Sequence, residues 1–165
     1  MNLKRIAKHL VTPDWAARRV FPPCALARIG EAIDASERTH SGELRFAAEA
    51  GLELPALLRG LRPRARAEEV FARLRVWDTE HNSGVLIYVQ LVDRRIEIVA
   101  DRGISARVPQ PEWDAICRAM EAAFRERRFE QGALDAIERV TRLLARHFPA
   151  RGDNPNELPD KPVVL

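Results

Sequence analysis

"GVLIYVQLVDRRIEIVADRGI", residues 84 to 104, decides how this chain folds. Its first nine residues are apolar almost throughout. A strand of that kind has both of its faces covered, which requires helices above and below the sheet, so it is the expected central strand. Asp93-Arg94 then turns the chain into "RIEIVA", residues 95 to 100, whose polar and apolar residues alternate as in a strand nearer an edge. The two form a hairpin. A two-residue turn at Asp93-Arg94 sets a register in which Val89 faces Ile98, Ile87 faces Ala100 and Gly84 faces Gly103.

The elements on either side follow from hydrophobic spacing. "ELRFAAEA", from Glu43 to Ala50, has Leu44, Phe46 and Ala48 on one face against Glu43, Arg45 and Ala47, which predicts the first strand. Before it, Leu26, Ile29 and Ile33 recur at helical spacing after Pro22-Pro23, and Ser41-Gly42 stops them. Between the strands, Pro55 and Pro63 bracket a short helical piece. A longer helix with Ala67, Val70, Phe71 and Leu74 follows and ends before Asn82. That link is long enough for a right-handed parallel crossover. Beyond the hairpin, Pro109 and Pro111 start a helix with Trp113, Ile116, Cys117, Met120 and Phe124 on its apolar stripe, and a last helix carries Leu134, Ile137, Thr141, Leu144 and Phe148. The order predicts an α/β chain: a three-layer α/β/α sandwich on a small mixed sheet, with the hairpin at about 85–102. Residues 1–20 read as a basic N-terminal extension, 21–148 as the domain, and 149–165 as a proline-rich tail. The terminal Val163-Val164-Leu165 predicts that this tail docks rather than hangs free.

Composition narrows the function classes. The 165 residues, 46% hydrophobic and 31% charged, suit one domain with a core of its own, and the net charge of +3 is small. The densest basic run, "RGLRPRAR", is followed at once by Glu68 and Glu69 and has no aromatic residue interleaved, so no nucleic-acid partner is expected. Cys24 and Cys117 form no CxxC pair. His9, His40, His81 and His147 show no metal-binding spacing, and the glycines make neither a dinucleotide fingerprint nor a phosphate loop. No GxSxG nucleophile motif is present. The first twenty residues lack the pattern of a secretion signal, and no apolar run approaches the ~20 residues of a membrane-spanning helix, so a cytoplasmic location is expected. Leu3, Ile6, Leu10 and Val11 would share one face of an N-terminal helix, with Lys4, Arg5 and Lys8 around it. Such a helix either docks on its own domain or makes a peripheral contact with the inner membrane.

The hairpin register brings "WDTEHNSG", residues 77 to 84, beside "ADRGIS", residues 100 to 105. Asp78, Glu80, His81, Asn82, Asp101 and Arg102 then converge as the candidate site. Asp78, Glu80 and Asp101 are the candidate metal ligands, offering hard oxygens to a Ca2+ or Mg2+ ion, and Arg102 is the candidate phosphate contact. The same residues have a structural reading: Asp101 pairs with an arginine, Asn82 and the glycines make turns, and nothing binds.

The stretches "VFARLRVWDTEHNSGVLIYVQLVDRRIEIVADRGI", "VPQPEWDAI" and "FEQGALDAIERVTRLLARHFP" together resemble the TPM domain, also catalogued as the TPM phosphatase domain and formerly as a domain of unknown function. The likeness runs from Phe21 to Phe148 and is to the short bacterial form without a membrane span. It implies an α/β/α sandwich, an envelope-related setting, and either weak acid phosphatase activity or binding of calcium and related cations. Where many members read glycine, aromatic, glycine, leucine, glutamate after the hairpin, this chain reads Asp101-Arg102-Gly103-Ile104-Ser105. The acidic residue usual a few positions later is replaced around Val108 to Pro111. The expected function is therefore an accessory or binding module for an unidentified protein partner, a membrane-associated one where the envelope-related setting carries over. The alternative is a weak metal-dependent acid phosphatase, with Asp78, Glu80 and Asp101 on the metal and Arg102 on the phosphate.

Overall fold

A computed structural model describes residues 3–150 and 155–165. Three helices lead in: α1 (Leu3–Leu10), α2 (Trp15–Val20) and α3 (Pro23–Glu37). Strand β1 (Glu43–Glu49) is followed by α4 (Leu54–Leu58) and α5 (Pro63–Arg73), and then by the hairpin β2 (Gly84–Gln90) and β3 (Arg95–Ala100). A single turn, α6 (Arg102–Ser105), precedes α7 (Gln110–Arg125) and α8 (Phe129–His147), and β4 (Val163–Val164) lies in the tail. Prolines stand in the first turn of α3, α4, α5 and α7, where the missing amide hydrogen has no helical partner to lose.

The sheet order is β3-β2-β1-β4, with β1 parallel to both β2 and β4 and the hairpin antiparallel. Alternation along the strands divides the core in two. Leu44, Phe46, Val85, Ile87, Val89, Ile96 and Ile98 meet Ile29, Ile33, Trp113, Met120 and Leu144 from α3, α7 and α8. Ala47, Leu86, Tyr88 and Val99 meet Ala67 and Val70 from α5 on the other face. This is the expected α/β/α sandwich, with β2 buried along its whole length.

The register differs from the expected one. Ile87 lies opposite Ile98, Val89 opposite Ile96 and Val85 opposite Ala100, a displacement of two residues. The turn uses residues 91 to 94, with Arg94 in the left-handed region at φ 53. Leu91 and Val92 stay bonded to the β1 side, their amides donating to the carbonyls of Glu49 and Ala50, so the hairpin reverses one residue earlier and closes over four residues instead of two. Gln90 Oε1 accepts the Asp93 amide at 2.9 Å and closes the turn. A slip of two leaves every side chain on its original face, which is why the assignment of the two cores survives it.

The tail does dock. Val163 and Val164 pair with Ala47 and Ala48, the Leu165 amide donates to the Ala48 carbonyl at 2.9 Å, and Leu158 is buried against the α5 face.

Candidate functional site

The corner at Asp101 is a helix start. The Asp101 amide donates to the Gly84 carbonyl at 2.8 Å, ending the hairpin, and its Oδ1 accepts the Arg102 amide at 2.7 Å as the N-cap of α6. Gly84 therefore faces Asp101, not Gly103. It must be glycine for another reason, since a Cβ there would stand 1.9 Å from the Val76 carbonyl oxygen. Gly103 approaches the neighbouring loop instead: its amide donates to the Asn82 carbonyl at 3.1 Å. Asn82, in the left-handed region at φ 52, accepts Arg102 Nε on its Oδ1 at 3.0 Å.

The loop before β2 and the corner after β3 thus meet as the sequence predicts, through contacts other than the paired glycines. Asn82, Asp101 and Arg102 are locked to one another. Glu80 and His81 face a cleft of about 420 Å³ where β1 and β2 begin. Asp78 turns away to an exposed ion pair with Arg75 at 3.0 Å. Among the described residues, no three His, Cys, Asp or Glu side chains gather in a metal-holding set.

Four further lining residues escape sequence reasoning: Glu43, Arg107, His147 and Glu157. They come from the start of β1, the loop after α6, the end of α8 and the tail, and no local pattern joins them. Glu157 accepts the Glu80 amide at 3.2 Å on both oxygens, tying the tail to the candidate loop. Arg107 donates to the His147 carbonyl at 3.2 Å and lies over the Phe148 ring. Two buried atoms here have no hydrogen-bond partner, Asp101 Oδ2 and His147 Nε2.

The floor beneath the cleft is acidic and buried. Burial pushes the Glu43 carboxyl above the usual range, with Glu157 and Asp160 adding to the effect, while the Leu158 amide, donating to Oε2 at 3.0 Å, pulls it back. Glu37, which accepts the Leu44 amide at 2.8 Å, is raised by burial to about 9 and so carries its proton at neutral pH. Burial likewise lowers His40 to about 4 and keeps it uncharged.

The arrangement of a parallel pair, a hairpin, a glycine-bearing corner and two closing helices coincides with a family match: the model of the TPM domain covers residues 17–143. The chain belongs to the TPM domain family. Among solved structures, this TPM domain is similar to the NMR structure of the BA42 protein from the psychrophilic bacterium Bizionia argentinensis, at 33% identity and a TM-score of 0.72. The likeness covers 84% of this chain and 91% of that one. No match was found among curated proteins. Among the described residues of this TPM domain, no helix is long and apolar enough to cross a membrane.

Proposed function

We propose that this TPM domain is a binding module, with the cleft at the starting ends of β1 and β2 as its recognition surface for a protein partner. The observation that carries this reading is the internal use of the candidate site's polar groups. Asp101 Oδ1 caps α6, Arg102 is held by Asn82, and Asp78 by Arg75. What is left lining the cleft, including Glu80, His81, Arg107 and Glu157, offers donors and acceptors of both signs to an incoming polar surface.

A weak metal-dependent acid phosphatase is the second reading, and the buried Asp101 Oδ2 is the observation in its favour. The residues do not fit a cation well. Ca2+ takes six to eight oxygens and Mg2+ an octahedron. Here Asp78 does not line the cleft, the Asn82 oxygen accepts from Arg102, and the Arg102 guanidinium brings positive charge to the same corner.

A photo-crosslinking amino acid at Glu80, compared with one at the distant α8 position Arg139, tests the proposal in cells. A discrete adduct from position 80 that is absent from position 139 is expected. Equal labelling from both, or none from position 80, contradicts it.

A further inference from the structure

Helix α1 has its amphipathic faces reversed. A surface helix ordinarily turns its apolar stripe to the core and its charges to water. In α1 the side chains held inward are Arg5 and His9, one turn apart. Arg5 Nη2 donates to Asp93 at 2.7 Å and to the Leu61 carbonyl at 2.9 Å. His9 Nε2 faces the other Asp93 oxygen at 3.2 Å, and its Nδ1 accepts the Leu52 amide at 2.9 Å. Of the large apolar residues of α1, only Ile6 packs inward, against the small cluster of Leu52, Ala56 and Leu57.

The remaining ones face solvent: Leu3 is 68% exposed, Leu10 57% and, just beyond the helix, Val11 78%. Trp15 at the start of α2, and Leu54 and Leu58 on α4, continue the pattern. Among the described residues only Trp77 is a large exposed hydrophobic elsewhere, and it is partly covered by Arg75. A polar seam fixes α1 without help from these side chains, so they are not there to hold the fold. Apolar groups concentrated in this way mark a contact surface.

Charge selects the occupant. Lys4, Lys8, Arg18, Arg19, Arg59 and Arg62 are exposed on these same segments, against the acidic Asp14 and Glu53. Two copies meeting through this face would oppose like charges, whereas an anionic lipid surface complements them. Leucines beside lysines, with an interfacial tryptophan, are the composition of a helix lying in a headgroup layer. We infer that α1, the start of α2 and α4 dock this domain on an anionic bilayer, with Leu3, Leu10, Val11 and Trp15 entering the headgroup region. This goes beyond the cleft and does not rest on its reading.

The test uses the full chain carrying Trp77→Phe, so that Trp15 is the exposed indole beside the buried Trp113. It is titrated with vesicles of phosphatidylcholine alone and with about one-third phosphatidylglycerol. A saturable blue shift of Trp15 emission is expected with the anionic vesicles, weakened by salt. Leu10→Ser with Val11→Ser should lower the partition coefficient about tenfold or more. Lys4→Gln with Lys8→Gln should lower it by about tenfold on anionic vesicles only. All four positions are exposed, so the melting curves should not move. Equal binding to neutral vesicles, or binding insensitive to the Leu10 and Val11 changes, overturns the inference. So does absence of binding, including the case of a dimer in solution that Leu10→Ser dissociates.

Discussion

Gly103 donates its amide hydrogen to the Asn82 carbonyl at 3.1 Å, and a Cβ on Gly103 would stand 2.6 Å from that same oxygen and 2.5 Å from the carbonyl oxygen of His81. Backbone, not a yielding side chain, sits in the way. Gly103→Ala should therefore cost about 1–3 kcal/mol in urea unfolding. Gly84→Ala, whose Cβ would reach 1.9 Å from the Val76 carbonyl oxygen, should cost more than Gly103→Ala. Equal stabilities of the two variants and wild type would contradict the meeting of loop and corner.

The two-sided burial of β2 predicts an asymmetry within the hairpin. Leu86 is fully buried between β2 and α5, whereas Arg95 is exposed, with Glu121 only 3.7 Å away as a loose partner. Leu86→Asp places an unpaired charge in the core and should prevent folding. Arg95→Gln should change stability by less than about 1 kcal/mol. Circular dichroism melts of the two variants check both.

Most of the fold is legible in the sequence because the signals for it are local. The alternation of Leu44, Phe46 and Ala48, the continuous apolar run of β2 and the prolines opening four helices each depend on neighbours in the chain. The hairpin register is not local. Leu91 and Val92 are bonded across to the β1 side and the turn widens to four residues, which Asp93-Arg94 cannot announce. The single turn α6 is likewise masked, because Asp101-Arg102-Gly103 looks like a turn until its capping bond is seen. Of the candidate site, the loop and corner residues were findable, but Glu43, Arg107, His147 and Glu157 enter only through tertiary packing. The N-terminal stripe of Leu3 and Leu10 was also readable, though the seam through Arg5, His9 and Asp93 that turns it outward was not.

The docked tail should contribute measurably. Removing residues 155 to 165 strips β4 from β1 and exposes the surface under Leu158. A loss of about 2 kcal/mol or more is expected from the buried leucine alone, with increased binding of a hydrophobic dye. Leu158→Ser in the full chain should give a smaller loss in the same direction. An unchanged melting curve after truncation would show that the tail adds nothing.

Glu37 predicts an alkaline weakness. Its pKa is 4.5 before folding and about 9 in the folded chain, so the native state binds the extra proton between those values. Stability from this group is full below pH 4.5 and lost as pH rises toward 9, by about 1 kcal/mol per pH unit at most. His40 works in the opposite sense, since lowering from 6.5 to about 4 costs stability only as pH falls through that window. Glu37→Gln keeps the acceptor for the Leu44 amide and should flatten the decline from pH 7 to 9. A slope unchanged by Glu37→Gln would contradict the assignment.

The central claim, that this TPM domain recognises rather than hydrolyses, is tested most directly by p-nitrophenyl phosphate turnover with and without Mg2+ or Ca2+, on wild type and Asp101→Asn. Asparagine retains the cap of α6 while removing the charge, so the fold is kept. The account predicts that both proteins release nitrophenol at the buffer rate with either ion. Metal-dependent turnover by the wild type that Asp101→Asn abolishes would contradict it.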